Sequence, residues 1–292
     1  MNDSYSKLTI SSNFIFTRVM RDPRLLKKLL ERVMPEKNIS DLNVVIEEKT
    51  FDEFYDAHGI RLDVYSENEE SVFDVEMQVL EKDLPAKRAR YYEAIMDAAF
   101  LNKGEDYRKL KEQYVIFFCL YDPFGDNMMV YRFRNRCLSN GRLLEDGTEK
   151  IYINCTAKEA GEYESLRPFA EYVMGKMNED PFVREVDESV YLAKQNAGWR
   201  KEYMLLEDHL RHAANIAREE ALIEGRAEGL AEGRAEGLAK GRAEGLKKGR
   251  TESNLKFLKI LMTDGRTFEE ACAYMELNQE EAAELAELLN RS

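Results

Sequence analysis

Little in this 292-residue sequence points to disulfide, zinc or membrane chemistry. Its 4 cysteines, Cys119, Cys137, Cys155 and Cys272, stand far apart with no CxxC pair. That spacing predicts free thiols in a reducing cytoplasm and excludes a disulfide framework or a cysteine zinc site. No apolar run approaches the ~20 residues that span a bilayer, so no membrane helix is expected. The opening MNDSYSKLTISSNF lacks the basic flank and apolar stretch of a signal peptide. Positive charge is scarce: 43 Lys and Arg face 56 Asp and Glu, a net charge of −13. A chain coated in nucleic-acid-binding charge is thereby excluded, and any such contact must come from a local patch. There is no Walker-type glycine loop, no G-x-S-x-G and no Cys–His pair. His209 and His212 have a spacing that can ligate metal on a helix, but no neighbouring Cys or carboxylate pattern completes a zinc site. A solvated helix face is their simpler reading.

What is present is a core. Hydrophobic residues make up 44%, with 14 Phe and 15 Tyr, which excludes global disorder. At ~100–200 residues per domain, the length allows one domain with a large appendage, or two domains. Composition changes twice. Residues 1–200 are mixed and aromatic, 224–250 are low-complexity, and 254–290 return to helical amphipathicity.

Leu25, Leu26, Leu29, Leu30 and Val33 recur at helical spacing between Pro23 and Pro35. Residues 43–51 suggest a strand. Residues 60–65 and 71–79 alternate with period two around SENEE, an antiparallel hairpin signal. Pro85 opens a long helix to about Asn102, with Gly104 as its stop. Residues 114–121 form a continuous apolar run of buried-strand type, closed by a DPFG turn. Further strands are expected over 129–137 and 150–155, and helices over 163–178 and 187–220. This order predicts an α/β domain, a mixed sheet with helices on its faces.

Side chains alternate across a strand, so parity decides which can meet. Ile60, Leu62 and Val64 share one face of the hairpin with Phe73, Val75, Met77 and Val79. Asp63, Asp74, Glu76 and Gln78 then converge on the opposite face. Carboxylates this close raise each other's pKa and call for a compensating cation, such as a divalent metal held by oxygen. The competing reading is a solvated hairpin face, where clustered carboxylates need no partner.

LDV at 62–64 followed by VEMQ at 75–78 resembles the core of the PD-(D/E)XK nuclease family transposases, the Rpn-type recombination-promoting nucleases. Residues 13–34 are similar to that family's opening helix, 87–110 to the helix after the Glu-x-Gln strand, and 114–125 to its next strand and turn. The YRFRN segment, the stretch at 199–204 and the glycine-periodic tail are also similar, so the resemblance covers nearly the whole chain. It implies a restriction-endonuclease-like fold and a metal-dependent DNA endonuclease. Carried over by position, Asp63 and Glu76 would ligate Mg²⁺ (or Mn²⁺), with the Met77 carbonyl a further ligand. Gln78 stands where the wider superfamily has lysine, and brings a hydrogen bond without positive charge. Glu31 is a candidate for the helix carboxylate that often completes such sites, against the reading of a solvated helix residue. Asp74 has no family position to inherit. On this resemblance the nuclease-like domain spans 1–180, a helical extension 181–223, the glycine repeat 224–250 and a small helical segment 251–292.

Lys87, Arg88 and Arg90 crowd the start of the long helix just after the Glu-x-Gln strand and are the preferred phosphate contacts. Arg132, Arg134 and Arg136 would share one strand face as a second basic strip.

Glycine recurs every four residues from Gly225 to Gly249. Each costs a helix ~1 kcal/mol relative to Ala. The stripe drifts by ~40° per step, so it winds around a helix instead of forming a heptad seam. Two readings compete, a helix paired through its glycine face, as in a homo-oligomer, and a charged spacer. Beyond it, Thr267 with Glu270 and Asn278 with Glu281 are capping-box signatures. The acidity of these last helices disfavours a DNA-reading role. The alternative for the whole chain is a non-catalytic DNA-binding or self-associating protein derived from the nuclease fold.

Overall fold

Proline sets the first break. Pro23 lacks an N–H and its ring disfavours helical geometry at the residue before it. The opening segment is therefore two helices, α1 (Asn13–Met20) and α2 (Pro23–Val33), not one. Asp22 caps α2 by accepting from the Arg24 N–H. Its Leu25, Leu26, Leu29, Leu30 and Val33 are all buried, as their spacing requires. The computed structural model describes residues 4–51, 60–81 and 85–291.

Strands β1 (Val44–Phe51), β2 (Ile60–Glu67) and β3 (Ser71–Gln78) form an antiparallel meander. Helix α3 (Pro85–Phe100) then crosses over to β4 (Glu112–Cys119), which pairs parallel with β3. Strands β5 (Val130–Phe133) and β6 (Thr148–Asn154) complete a mixed six-stranded sheet of order β1-β2-β3-β4-β6-β5. Strand β4 explains why its sequence reads as an unbroken apolar run. Tyr114, Ile116 and Phe118 enter the core on one face, while Val115, Phe117 and Cys119 meet α3 residues Ala89, Tyr92, Ile95 and Met96 on the other. The first face is covered by α1, α2, α4 (Arg167–Val173) and α5 (Pro181–Gln195). The opening turns of α6 (Ala197–Thr263) add Trp199, Tyr203 and Leu206 to that core. One compact unit thus runs to Glu207.

The second unit, from Asp208, contains the remainder of α6 with α7 (Phe268–Tyr274) and α8 (Gln279–Asn290). Helix α6 runs unbroken through the glycine repeat, and nothing lies within 4 Å of a Cβ built on any glycine from Gly225 to Gly249. Gly265 ends it at φ +93°, a conformation that L side chains rarely adopt. Leu258 and Leu261 pack on Ala271, Cys272 and Leu285 in a small core of their own. Both expected capping boxes are formed. Among the described residues no helix is long and apolar enough to cross a membrane.

The basic strip expected over Arg132–Arg136 does not form. Strand β5 ends at Phe133, so the alternation stops before Arg136. Arg132 and Arg134 instead converge on the buried Glu149, and Arg132 also reaches Glu36 at 2.5 Å. The strip is structural because a carboxylate buried in β6 needs cations more than the solvent does. Glu149→Ala should therefore lower unfolding free energy by about 3 kcal/mol, the scale for orphaning a buried charge pair. Urea denaturation of the full chain checks this.

Candidate active site

Strand β3 is buried along its whole length, acids included. Asp74 is 0%, Glu76 2% and Gln78 3% exposed, and Asp63 on β2 is 7% exposed. These are not carboxylates on a solvated hairpin face. Arg88 of α3 reaches Glu76 and Gln78, and Asn13 of α1 reaches Asp63, so these polar groups of two interior strands lie inside the protein.

The two strands part company at the two acids. Their ladder pairs Val64 with Val75 and goes no further towards Asp63. From there the carboxylates take over the backbone's work. The Asp63 N–H donates to Glu76 Oε1 at 2.9 Å, and the Met77 N–H donates to Asp63 Oδ2 at 3.1 Å. Each acid thus satisfies a strand donor that the splayed ladder leaves open. Across from Asp63 on β1, Glu48 adopts a left-handed φ of +53°, between the Glu47–Val64 and Lys49–Leu62 pairs. Strict alternation along β2 fails at this point. Ile60 and Leu62 face the α3 side with Tyr65, while Val64 faces the opposite core. The apolar residues 60, 62 and 64 therefore do not share one face as parity predicts. On β3 alternation holds, with Phe73, Val75 and Met77 on one side and Asp74, Glu76 and Gln78 on the other. Val79, expected in the apolar row, lies past the strand end and is 46% exposed.

One cation enters this cluster. Arg88, on the first turn of α3, donates from Nη2 to Glu76 Oε2 at 2.8 Å and from Nη1 to Gln78 Oε1 at 2.6 Å. Its guanidinium lies over the rings of Phe117, at 5.3 Å, and Tyr92, at 5.4 Å, and bonds the Tyr92 hydroxyl. Arg88 is thus turned into the site, while Lys87 and Arg90 remain exposed on α3. Gln78 is fixed at both ends, since its Nε2 donates to the Leu80 carbonyl at 2.6 Å. Asn13, at the start of α1, donates to Asp63 Oδ2 at 3.1 Å. Sequence reasoning missed Asn13. Its only signal was a polar amide opening an otherwise apolar helix. Glu31 sits on the exposed side of α2, and no contact joins it to Asp63 or Glu76. Asn13, Met77, Gln78, Val79, Leu80 and Arg88 line an open cleft of about 160 Å³ at the end of β3.

Burial dominates the electrostatics. It pushes the Asp63 carboxyl up to about 6, against the opposing Met77 N–H bond and the Arg88 charge. Burial, and then the neighbouring Asp63, push Glu76 up to about 8. Asp74 is also raised, by burial first and then by Glu76 and Asp63. Beyond its carboxyl–carboxyl contact with Glu76, Asp74 accepts no hydrogen bond from a described residue. Among the described residues the three buried acids outnumber the one guanidinium bonded to them, and Asp63 and Glu76, bonded to Asn13 and Arg88 of the cleft lining, offer oxygen donors just beneath the cleft. That set fits a hard divalent cation of the Mg²⁺ type, which takes one or two carboxylates and completes its shell with water and substrate. Among the described residues no three His, Cys, Asp or Glu side chains form a ready-made metal cage.

The raised carboxyls carry a stability consequence. Between their ordinary range and their native values, the folded chain holds protons that the unfolded chain has lost. Stability contributed this way is full below the unfolded pKa and is lost as pH rises through about 6 and then about 8. In EDTA the melting temperature should fall by several degrees from pH 5.5 to pH 8.5. Glu76→Gln, neutral at both, should flatten that slope. Differential scanning fluorimetry at the two pH values reads the difference.

Comparison with curated proteins gives no match, and neither does comparison with solved structures. The family model for PD-(D/E)XK nuclease family transposases matches residues 14–165. That stretch runs from α1 to just before α4 and takes in the whole sheet, Asp63, Glu76, Gln78 and Arg88. With the mixed sheet, the crossover helix and the paired acids on its interior strands β2 and β3, the match makes this chain a member of the PD-(D/E)XK nuclease family transposases.

Proposed function

We propose that the chain is a Mg²⁺- or Mn²⁺-dependent DNA endonuclease of the cytoplasm, and that Asp63, Glu76, Gln78 and Arg88 carry its activity. The observation behind this reading is the interlock of Asp63 and Glu76 across the parted strands, with Arg88 bonded to both Glu76 and Gln78. Family membership supplies the nuclease class. Asp63, Glu76 and the Met77 carbonyl would hold the ion. When bound, it supplies Lewis-acid activation at the scissile phosphate.

The chain's own groups do the remaining work. Asn13 and the Met77 N–H keep the Asp63 carboxylate oriented, so little reorganisation is needed on loading. Gln78 lacks the charge of the lysine that the wider superfamily has at its position. Arg88 brings that charge from α3, held flat by the Phe117 and Tyr92 rings. A guanidinium there can turn donors to the phosphoryl oxygens, where charge grows in the transition state. Lys87 and Arg90, exposed on the same helix, would take neighbouring phosphates.

Plasmid nicking with Mg²⁺ and with EDTA is the direct test. Asp63→Ala and Glu76→Ala should each abolish cleavage. Gln78→Ala and Arg88→Ala should each slow it by about 10²-fold, the scale of losing one aimed donor. Arg88→Lys should recover part of the loss. Metal-independent cleavage, or wild-type rates in Asp63→Ala, would sink the assignment. Oligonucleotide binding without any cleavage would instead make the protein a non-catalytic DNA binder.

The tail fits a second role, self-association. Seven glycines at ~1 kcal/mol each should unravel an unpartnered helix of this kind. Leu222, Leu230, Leu238 and Leu246 recur every eight residues along α6 and are more than half exposed. These leucines turn with the glycines, about 80° per eight residues, so apolar and small residues follow one winding path that a second copy of the helix could pack along by wrapping around it. A dimer would present two sites to the two strands of a duplex. The double variant Leu230→Lys/Leu238→Lys should sediment as a smaller species in analytical ultracentrifugation and shift products from double-strand breaks towards nicks. Unchanged sedimentation would reduce α6 to a spacer.

A further inference from the structure

On the α3 side of the sheet, Glu76, Phe117, Tyr152 and Tyr131 are successive partners across β3, β4, β6 and β5. They form one lateral row. Strands lie ~4.8 Å apart, so Tyr152 stands about 10 Å from Glu76 along the sheet. Over Tyr152 opens a groove of about 500 Å³, walled by Phe124, Phe133, Arg90, Arg134 and Lys150.

Its chemistry is unusual for this chain. Phe124 and Phe133 remain 39% and 44% exposed, although their ring centroids are 4.9 Å apart and both rings contact Tyr152. Arg90 and Lys150 line the groove against one acid, Glu93, on a chain whose net charge is −13; Arg134 borders it as well, but its guanidinium is bound to the buried Glu149. Lys150 is paired with Glu93, and Arg134 shares Glu149 with Arg132. Arg90 makes no ion pair among the described residues and is exposed beside the rings. Open aromatic faces flanked by an exposed arginine suit an unstacked base and its phosphate, because every base offers a π-face and the backbone offers only charge. A fully paired duplex shows no such face.

We propose that this groove binds an unpaired nucleotide of the DNA substrate, its base against Phe133 and Phe124 and its phosphates towards Arg90. The inference rests on the nuclease reading and narrows its substrate class to DNA with unpaired or splayed bases near the cut. The distance of about 10 Å to Glu76 places the bound nucleotide one or two residues from the scissile phosphate.

Fluorescence anisotropy in EDTA, with the full chain and labelled oligonucleotides, separates the possibilities. One probe is a fully paired 20-mer and the other is the same duplex with a three-nucleotide bubble. The wild-type chain should prefer the bubble by about tenfold, the scale of one base stacked on an aromatic ring. Phe133→Ala should erase the preference while leaving duplex binding within twofold, and Phe133→Trp should restore it. Arg90→Ala should weaken binding of both probes. A preference that survives Phe133→Ala, or an equal loss on both probes in that variant, overturns the groove and leaves the nuclease reading standing. A wild-type chain that binds neither probe overturns the groove, and absence of plasmid nicking with Mg²⁺ separately overturns the nuclease reading.

Discussion

Everything around the site depends on keeping two carboxylates buried and apart from water at the point where β2 leaves β3. Asp63 and Glu76 are tied in by backbone N–H donors, so the protein gives up ladder bonds there and replaces them with charge-assisted ones. That exchange is costly, because burial disfavours both ionised forms. The arrangement persists because the neighbouring elements over-determine it. Strand β3 is enclosed on both faces, α1 supplies Asn13, and α3 supplies Arg88.

Arg88 shows how a lost lysine need not mean lost charge. A lysine on β3 would reach the cleft from the strand itself. Here the strand position carries an amide, and the cation arrives from the helix that crosses above it. The planar guanidinium can lie between Phe117 and Tyr92 and still bond Glu76 and Gln78 in one geometry. The division also frees the neighbouring helical positions. Arg90, two residues on, points away from the cleft to the aromatic groove over Tyr152.

Much of this was legible in the sequence where periodicity and burial agree. The leucines of α2, the hairpin, α3 and the two-sided β4 all follow from spacing, and the Asp63 and Glu76 pair follows from motif order. The face assignment along β2 was not legible. Alternation is a property of a regular ladder, and the ladder breaks because Asp63 bonds the Met77 amide, a tertiary choice that no local pattern encodes. The roles of the arginines were hidden for a similar reason. Composition marks Arg88, Arg132 and Arg134 alike as basic. Only packing reveals that a buried Glu149 claims two of them and Glu76 claims the third. Asn13 was invisible because an amide at a helix start already has a local explanation.

An acidic protein can address a polyanion only if its cations are placed where screening makes the rest of its charge irrelevant. At physiological salt the Debye length is about 8 Å, so acids farther away than that contribute little at a bound phosphate. The lateral row from Glu76 to Tyr152 spans about that distance, and the cations beside it come from α3, β6 and the end of β5. Within this span local charge decides, and on the groove side Arg90 is the cation left without an ion pair among the described residues, since Lys150 is paired with Glu93 and Arg134 with Glu149. Adding basic residues across the surface would raise affinity for any duplex without improving discrimination. The net charge of −13 is therefore compatible with a DNA substrate, and it makes binding depend on the few side chains that line the row.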